Sequence, residues 1–188
     1  YLTSFSSTNL TALESNAFLN CRKLSVLNVG KIRTLVGTSL AKCYGLSSMT
    51  LDDNNTYFYM LDETGTPSDR TGCMLVRNSD KRVMWGAPKV VKNVVLPEDI
   101  KHIETHSFYG SVLYSLDCKN LKSIGSEAFS YNDNLSDFNL YKCESIGENP
   151  FYTCRKLSSV VKAEDNNYLS VYDVYGNPQN RGEVLGGP

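Results

Sequence analysis

Long apolar runs are missing from this chain. The nearest candidate, Lys89 to Leu96, is short and carries Lys92. It falls well below the ~20 apolar residues a membrane-spanning helix needs, so no membrane insertion is expected. An excess of one charge is missing as well. Nineteen basic residues face 20 acidic ones, for a net charge of −1. Without surplus Lys and Arg to displace counterions from a phosphate backbone, no nucleic-acid partner is expected. The chain opens on Tyr1 and has no charged-then-apolar leader. None of the six cysteines (Cys21, Cys43, Cys73, Cys118, Cys143 and Cys154) forms a CxxC pair, so a structural zinc site has no support. Catalytic signatures are wanting too. There is no G-x-S-x-G elbow, no phosphate-cradling glycine loop and no Cys–His pair in a familiar setting. The expectation is a protein that is not an enzyme and carries no cofactor or metal.

What is present is a repeat. Leu10, Leu13, Phe18, Cys21, Leu24, Leu27 and Val29 are followed 22 residues on by Ile32, Leu35, Leu40, Cys43, Leu46, Met49 and Leu51. The series returns as Ile100, Ile103, Phe108, Leu113 and Leu116, then as Leu121, Ile124, Phe129, Leu135 and Phe138. A fifth copy runs Ile146, Phe151, Cys154, Leu157 and Val160. No copy is long enough to bury its own apolar face, but stacked copies make one continuous core with ladders of like side chains. The segment L-x-x-L-x-L has strand periodicity, which puts neighbouring copies about 4.8 Å apart. Ser15–Phe18 and Ser126–Phe129 begin with a capping residue and continue with helix formers, and Pro150 precedes Phe151. This predicts a short helical turn opposite each strand.

A longer period of 111 residues overlies the short one. Residues 10–21 match 121–132, and 40–51 match 151–162. Between the two arrays of repeats, about 10–51 and 100–163, an insertion at 52–97 breaks the 22-residue step. Within it, Cys73–Val76 and Arg82–Trp85 flank the polar turn Asn78–Lys81, which predicts a β-hairpin. The insertion's opening, Asn54-Asn55-Thr56-Tyr57, is echoed by Asn166-Asn167-Tyr168. Gly65–Arg70 is echoed by Gly176–Arg181, so 164–188 reads as part of a second insertion. The whole, 1–188, is expected to be one domain of the α/β class. It is expected to be a β-rich solenoid whose natural protein continues at least past its N-terminal end.

The residues Ser123-Ile124-Gly125-Ser126-Glu127-Ala128-Phe129 and Ser145-Ile146-Gly147-Glu148-Asn149-Pro150-Phe151-Tyr152-Thr153-Cys154 carry the pattern I-G-x-x-A-F-x-x-C. It resembles that of the BspA-like leucine-rich repeats of bacterial surface proteins. The resemblance implies a right-handed leucine-rich-repeat solenoid, an extracellular or cell-surface location, and adhesion to a host or bacterial surface protein. Leu35-Val36-Gly37 and Leu40 depart from the pattern in the second copy.

By register, a concave sheet would present Val26, Asn28, Ser48, Thr50, Ser115, Asp117, Asp137, Asn139, Ser159 and Val161. Small polar groups of this kind suit a broad surface with a few anchors. Trp85, the sole tryptophan, is an anchor if exposed and a packing residue otherwise. Tyr44, Tyr109, Tyr131, Tyr141 and Tyr152 are further anchor candidates. A carbohydrate-binding module using Trp85 and tyrosines, and the non-catalytic part of a larger enzyme, are the alternatives. Cys21, Cys43 and Cys154 share one column and read as buried thiols packed like small hydrophobes. His102 and His106 are spaced i, i+4, but Ile100 and Ile103 make that segment extended rather than a helical metal site. Asp52–Asn55 and Glu164–Asn167 are oxygen-rich but read as turns rather than calcium loops.

Overall fold

The structure, a computed structural model, describes residues 1–68, 71–172, 178–179 and 181–182. Residues 173–177, 180 and 183–188 of the expected second insertion, with half of its Gly176–Arg181 echo, lie outside the described residues. Successive coils stack side by side, and each coil has three sides.

The first side carries three-residue strands. Ser4–Ser6, Val26–Asn28 and Ser48–Thr50 pair in parallel with Phe5, Leu27 and Met49 in register. Asn93–Val95 pairs likewise with Ser115–Asp117, and Asp137–Asn139 with Ser159–Val161. The middle residues Leu27, Met49, Val94, Leu116, Phe138 and Val160 are buried, as alternation on a half-buried strand requires. The second side carries two-residue strands. Ala12–Leu13 pairs with Thr34–Leu35. His102–Ile103, Ser123–Ile124 and Ser145–Ile146 form a parallel ladder further along.

The third side is where all but one of the expected short helical or 3-10 turns fail to form. Among the described residues the only helical segment is a 3-10 turn at Gly37–Leu40. The segments around Phe18, Phe129 and Phe151 are chains of turns. Up to two positions per coil adopt left-handed backbone. Asn16, His106, Glu127 and Asn149 occupy the first, and Asn20, Lys42, Tyr131 and Thr153 the second, with φ between 50° and 63°. A left-handed residue interrupts the helical i→i−4 ladder and costs a non-glycine residue roughly 1–2 kcal/mol. In return, each coil's amides reach the next coil. The Phe108 amide donates to Ala128 O at 2.8 Å, that of Phe129 to Pro150 O at 2.8 Å, and that of Tyr131 to Tyr152 O at 2.8 Å. Pro150 is tolerated because its coil supplies the carbonyl of that bond rather than the amide. The α/β expectation therefore gives way to a β-solenoid with almost no helix.

The I-G dipeptide marks the corner between the second and third sides. A Cβ on Gly125 would lie 2.3 Å from the Thr105 amide nitrogen, and one on Gly147 would lie 2.4 Å from that of Ser126. Only glycine permits coils to approach so closely there.

The predicted hairpin is present. Met74–Arg77 and Arg82–Gly86 pair antiparallel, and Phe58–Leu61 joins the other edge of Met74–Arg77. Arg82–Gly86 also pairs in parallel with His102–Ile103, so one hairpin strand occupies a slot of the second side. Thr71–Gly72 lies antiparallel on Ser48–Thr50, and Arg181–Gly182 lies antiparallel on Ser159–Val161. Each insertion thus closes a first-side ladder with one reversed strand. The core is continuous through the repeats and the insertion. Its spine is a phenylalanine stack in which Phe108–Phe129 and Phe129–Phe151 centroids are each 5.5 Å apart.

Candidate binding surface

The alternation that buries the strand centres turns two columns of the first side outward. One contains Ser4, Val26, Ser48, Asn93, Ser115, Asp137 and Ser159. The other contains Ser6, Asn28, Thr50, Val95, Asp117, Asn139 and Val161. All are exposed or half-buried. The residues predicted from register, Val26, Asn28, Ser48, Thr50, Ser115, Asp117, Asp137, Asn139, Ser159 and Val161, all lie outward on first-side strands, in one ladder up to the reversed strand Thr71–Gly72 and in the ladders that follow it.

Register reasoning missed Asn93 and Val95. Val95 is 61% exposed, the most open apolar residue of the face. The signal was there: Val94, Leu116, Phe138 and Val160 follow one another at the 22-residue step. The valine pair had been absorbed into the insertion.

Neighbouring side chains order this face. Tyr141 Oη donates to Asp117 Oδ1 at 3.1 Å, and Lys119 Nζ lies 3.8 Å from Asp117 Oδ2. Ser115 Oγ donates to Asn93 Oδ1 at 3.0 Å, and Ser136 Oγ to Asp137 Oδ2 at 2.7 Å. The two columns contain two carboxylates and no basic residue. Their chemistry is small, polar and weakly acidic.

Trp85 does not join the surface. It is 3% exposed and packs in the insertion's core, which removes it as an exposed anchor. Val83 to Gly86 of that strand are all buried, so neither of its faces offers the ring to solvent. Of the tyrosines, Tyr109 is 6% exposed and is likewise unavailable, and Tyr141 is committed to Asp117. Tyr131 and Tyr152 remain exposed, with ring centroids 5.6 Å apart. Tyr109 packs behind Tyr131 with centroids 5.1 Å apart and the rings tilted by 46°, and Tyr44 lies behind Tyr109 at 6.5 Å. They form a row along the third side, not on the strand face.

The cysteine column is built into the backbone. Cys43 Sγ donates to Phe18 O at 3.0 Å, and Cys154 Sγ to Phe129 O at 3.0 Å. In the coil just before that of Cys154, Asn132 takes the same place and donates to Phe108 O and Phe129 O, both at 2.7 Å. Burial pushes the Cys43 thiol up to about 12 and the Cys154 thiol to about 11. Such thiols are poor nucleophiles and poor ligands.

His102 lies on a strand and its Nδ1 meets Ser123 Oγ at 2.8 Å. His106 sits on the left-handed turn, with Nε2 3.7 Å from Glu127 Oε2. Burial holds both imidazoles below their ordinary pKa.

The segments 54–57 and 165–168 are structural joints. Asn55 Nδ2 donates to Gly30 O and Ile32 O, while its Oδ1 accepts from the amides of Tyr57 and Phe58. Asn166 repeats this with Tyr141 O, Cys143 O and the amides of Tyr168 and Leu169. Asp52 accepts from the Asn54 amide at 3.0 Å. These are turn contacts, in which side-chain oxygens serve nearby backbone.

Residues 2–60 and 88–177 match the model of the BspA type leucine rich repeat region, in six copies. No curated protein matches the chain. Among solved structures, the chain resembles a leucine rich cell surface protein from Faecalibacterium prausnitzii A2-165. The TM-score is 0.53 at 12% identity, over 85% of this chain and 53% of that one. A leucine-rich repeat protein from Bacteroides ovatus ATCC 8483 aligns with a TM-score of 0.44 at 18% identity, over 89% of this chain and 38% of that one. The chain thus spans about half the length of the first of these structures and less of the second. With the repeat matched over most of its residues, the chain belongs to the BspA-type leucine-rich repeat family.

Proposed function

We propose that this chain is a non-enzymatic binding module of a secreted or cell-surface protein, and that it holds a partner protein across the outer face of its first side. The observation that carries the reading is the pair of outward columns. Strand after strand, they place small polar residues in register, with Asp117 and Asp137 on them and no cation. Side chains this short leave the sheet accessible to a partner's longer ones, and backbone pairing holds them rigid, which lowers the ordering cost of binding. The partner suited to the face is a host or bacterial surface protein offering a polar strip with exposed Lys or Arg. Val95 is the apolar contact near its middle. The extracellular setting rests on family membership and on the cell-surface protein from Faecalibacterium prausnitzii that shares the fold.

Surface plasmon resonance against purified extracellular-matrix proteins and surface proteins of neighbouring bacteria tests this reading. Asp137→Arg and Val95→Lys are the informative variants, because both side chains are exposed and neither supports the core. A bound partner is expected to lose affinity by about ten-fold or more with either. Equal capture by the native chain and both variants would remove the face from consideration. The carbohydrate-binding reading built on Trp85 loses that residue, which is buried.

A further inference from the structure

Two adjoining hollows open on either side of Tyr57. One, of about 520 Å³, is bounded by Lys31, Asp52 and Asn54, and the other, of about 460 Å³, by Arg77 and Asn78. Both share Arg33, Thr56 and Tyr57, so they form one groove crossed by the tyrosine. No residue of this groove belongs to the outward columns of the first side, and its fate is separate from that of the proposed protein-binding face.

The charges of the groove are uneven. Arg77 is neutralised by Asp80, 2.7 Å away. Asp52 spends one carboxylate oxygen on the Asn54 amide. Lys31 and Arg33 are exposed, and neither has a carboxylate partner among the described residues. Arg33 instead lies over the Tyr57 ring, with Cζ 5.5 Å from the centroid. That contact steadies the guanidinium and leaves its donors unspent.

The 111-residue period supplies an internal control. The positions equivalent to Lys31, Arg33 and Tyr57 are Lys142, Glu144 and Tyr168. There the charges cancel: Lys142 Nζ meets Asp165 Oδ2 at 2.6 Å, and Glu144 Oε1 meets Lys122 Nζ at 2.9 Å. The fold is satisfied with this corner neutralised, so the unpaired cations of the first copy are not a requirement of folding.

We propose that this groove binds an acidic saccharide, a sugar chain bearing carboxylate or sulfate groups. Arg33 presents a planar fork that matches either anion in a bidentate fashion, and Lys31 adds a point charge beside it. Tyr57, 46% exposed, offers ring surface to the apolar face of a pyranose. Asn54, Thr56 and Asn78 supply the amide and hydroxyl groups that sugar hydroxyls pair with. This lining favours a sugar over an acidic peptide, and the open form of the groove suits a chain lying across it.

Isothermal titration calorimetry on the whole chain tests the proposal. The probes are a glucuronate-containing oligosaccharide, its sulfated counterpart, a neutral glucose oligosaccharide and a glutamate-rich peptide. At least one acidic sugar is expected to bind, and the two acidic arms show which anion is preferred. Its affinity is expected to fall as salt rises from about 50 to about 300 mM. Arg33→Glu is expected to weaken it by about ten-fold or more, since it reverses the charge at the fork. Tyr57→Ala is expected to weaken it several-fold. Lys142→Glu, in the neutralised copy, is expected to leave it unchanged. Circular dichroism checks that each variant is folded, and both groove side chains are exposed, so folding is expected to survive. The proposal is overturned if neither acidic sugar binds, if the neutral sugar or the peptide binds as well, or if folded Arg33→Glu binds like the native chain.

Discussion

Asn55 is where the solenoid hands over to its insertion, and its removal has a calculable cost. The side chain makes four bonds. Nδ2 donates to Gly30 O at 3.1 Å and Ile32 O at 2.9 Å, and Oδ1 accepts from the amides of Tyr57 and Phe58, both at 3.0 Å. At a net ~1 kcal/mol per neutral hydrogen bond the set would be worth about 4 kcal/mol. Asn55 is half-buried and Tyr57 is exposed, so water replaces part of it. Asn55→Ala is therefore expected to cost about 2–3 kcal/mol. Phe58 opens the strand that pairs with Met74–Arg77, which in turn pairs with the strand holding Trp85. The buried, sole tryptophan is thus a built-in reporter, and urea unfolding followed by its fluorescence gives the stability change from the shifted midpoint. Asn55→Asp separates the two halves of the contact. It keeps both acceptor bonds but sets a carboxylate against two carbonyls, so at neutral pH it is expected to recover none of the loss. A cost below about 1 kcal/mol for Asn55→Ala, or an Asn55→Asp protein as stable as the native chain, would refute this account of the joint.

Phe129→Ala removes the middle of the phenylalanine stack and is expected to cost about 3–5 kcal/mol, whereas Tyr152→Ala at the exposed end of the tyrosine row is expected to cost well under half of that; paired denaturation curves decide it. A thiol reagent at pH 8 is expected to label Cys21 rapidly and to leave Cys43 and Cys154 unlabelled until urea is added, because burial raises both of those thiols to 11 or above; mass mapping of the labelled sites is the check. Folding holds the pKa of His106 and His102 below the unfolded value of about 6.5, so below that pH the unfolded chain binds more protons and stability is lost as pH falls through the folded values. His106→Gln is expected to flatten that slope below about pH 6.5, as read from midpoints across the range, and an unchanged slope would contradict the burial argument.

The stacking of coils was legible because a buried ladder leaves like residues at a nearly fixed step, and Phe108, Phe129 and Phe151, 21 and 22 residues apart, pack face to face. The outward columns were legible for the same reason, since a strand's alternation fixes both faces at once. The third side was not. Ser126-Glu127-Ala128-Phe129 has good helix formers behind a cap, yet Glu127 is left-handed, because pairing with the next coil replaces pairing within the turn. Local propensity carries no record of that trade. The Asn55 joint was half visible. Its turn character followed from composition, but a side chain spanning 25 residues to Gly30 O is a tertiary fact. The uneven charges beside Tyr57 were invisible until Lys142 and Asp165 could be seen closing on each other in the second copy.

The reversed strands Thr71–Gly72 and Arg181–Gly182 have a consequence for how such molecules lengthen. A parallel ladder left open presents a row of unspent amides and carbonyls, which invites chains to adhere edge to edge. Here each run of coils carries its own stopper, encoded in the same 111-residue stretch. Copying that stretch whole adds coils and stopper together, so an array grown by duplication gains reach without gaining raw edges.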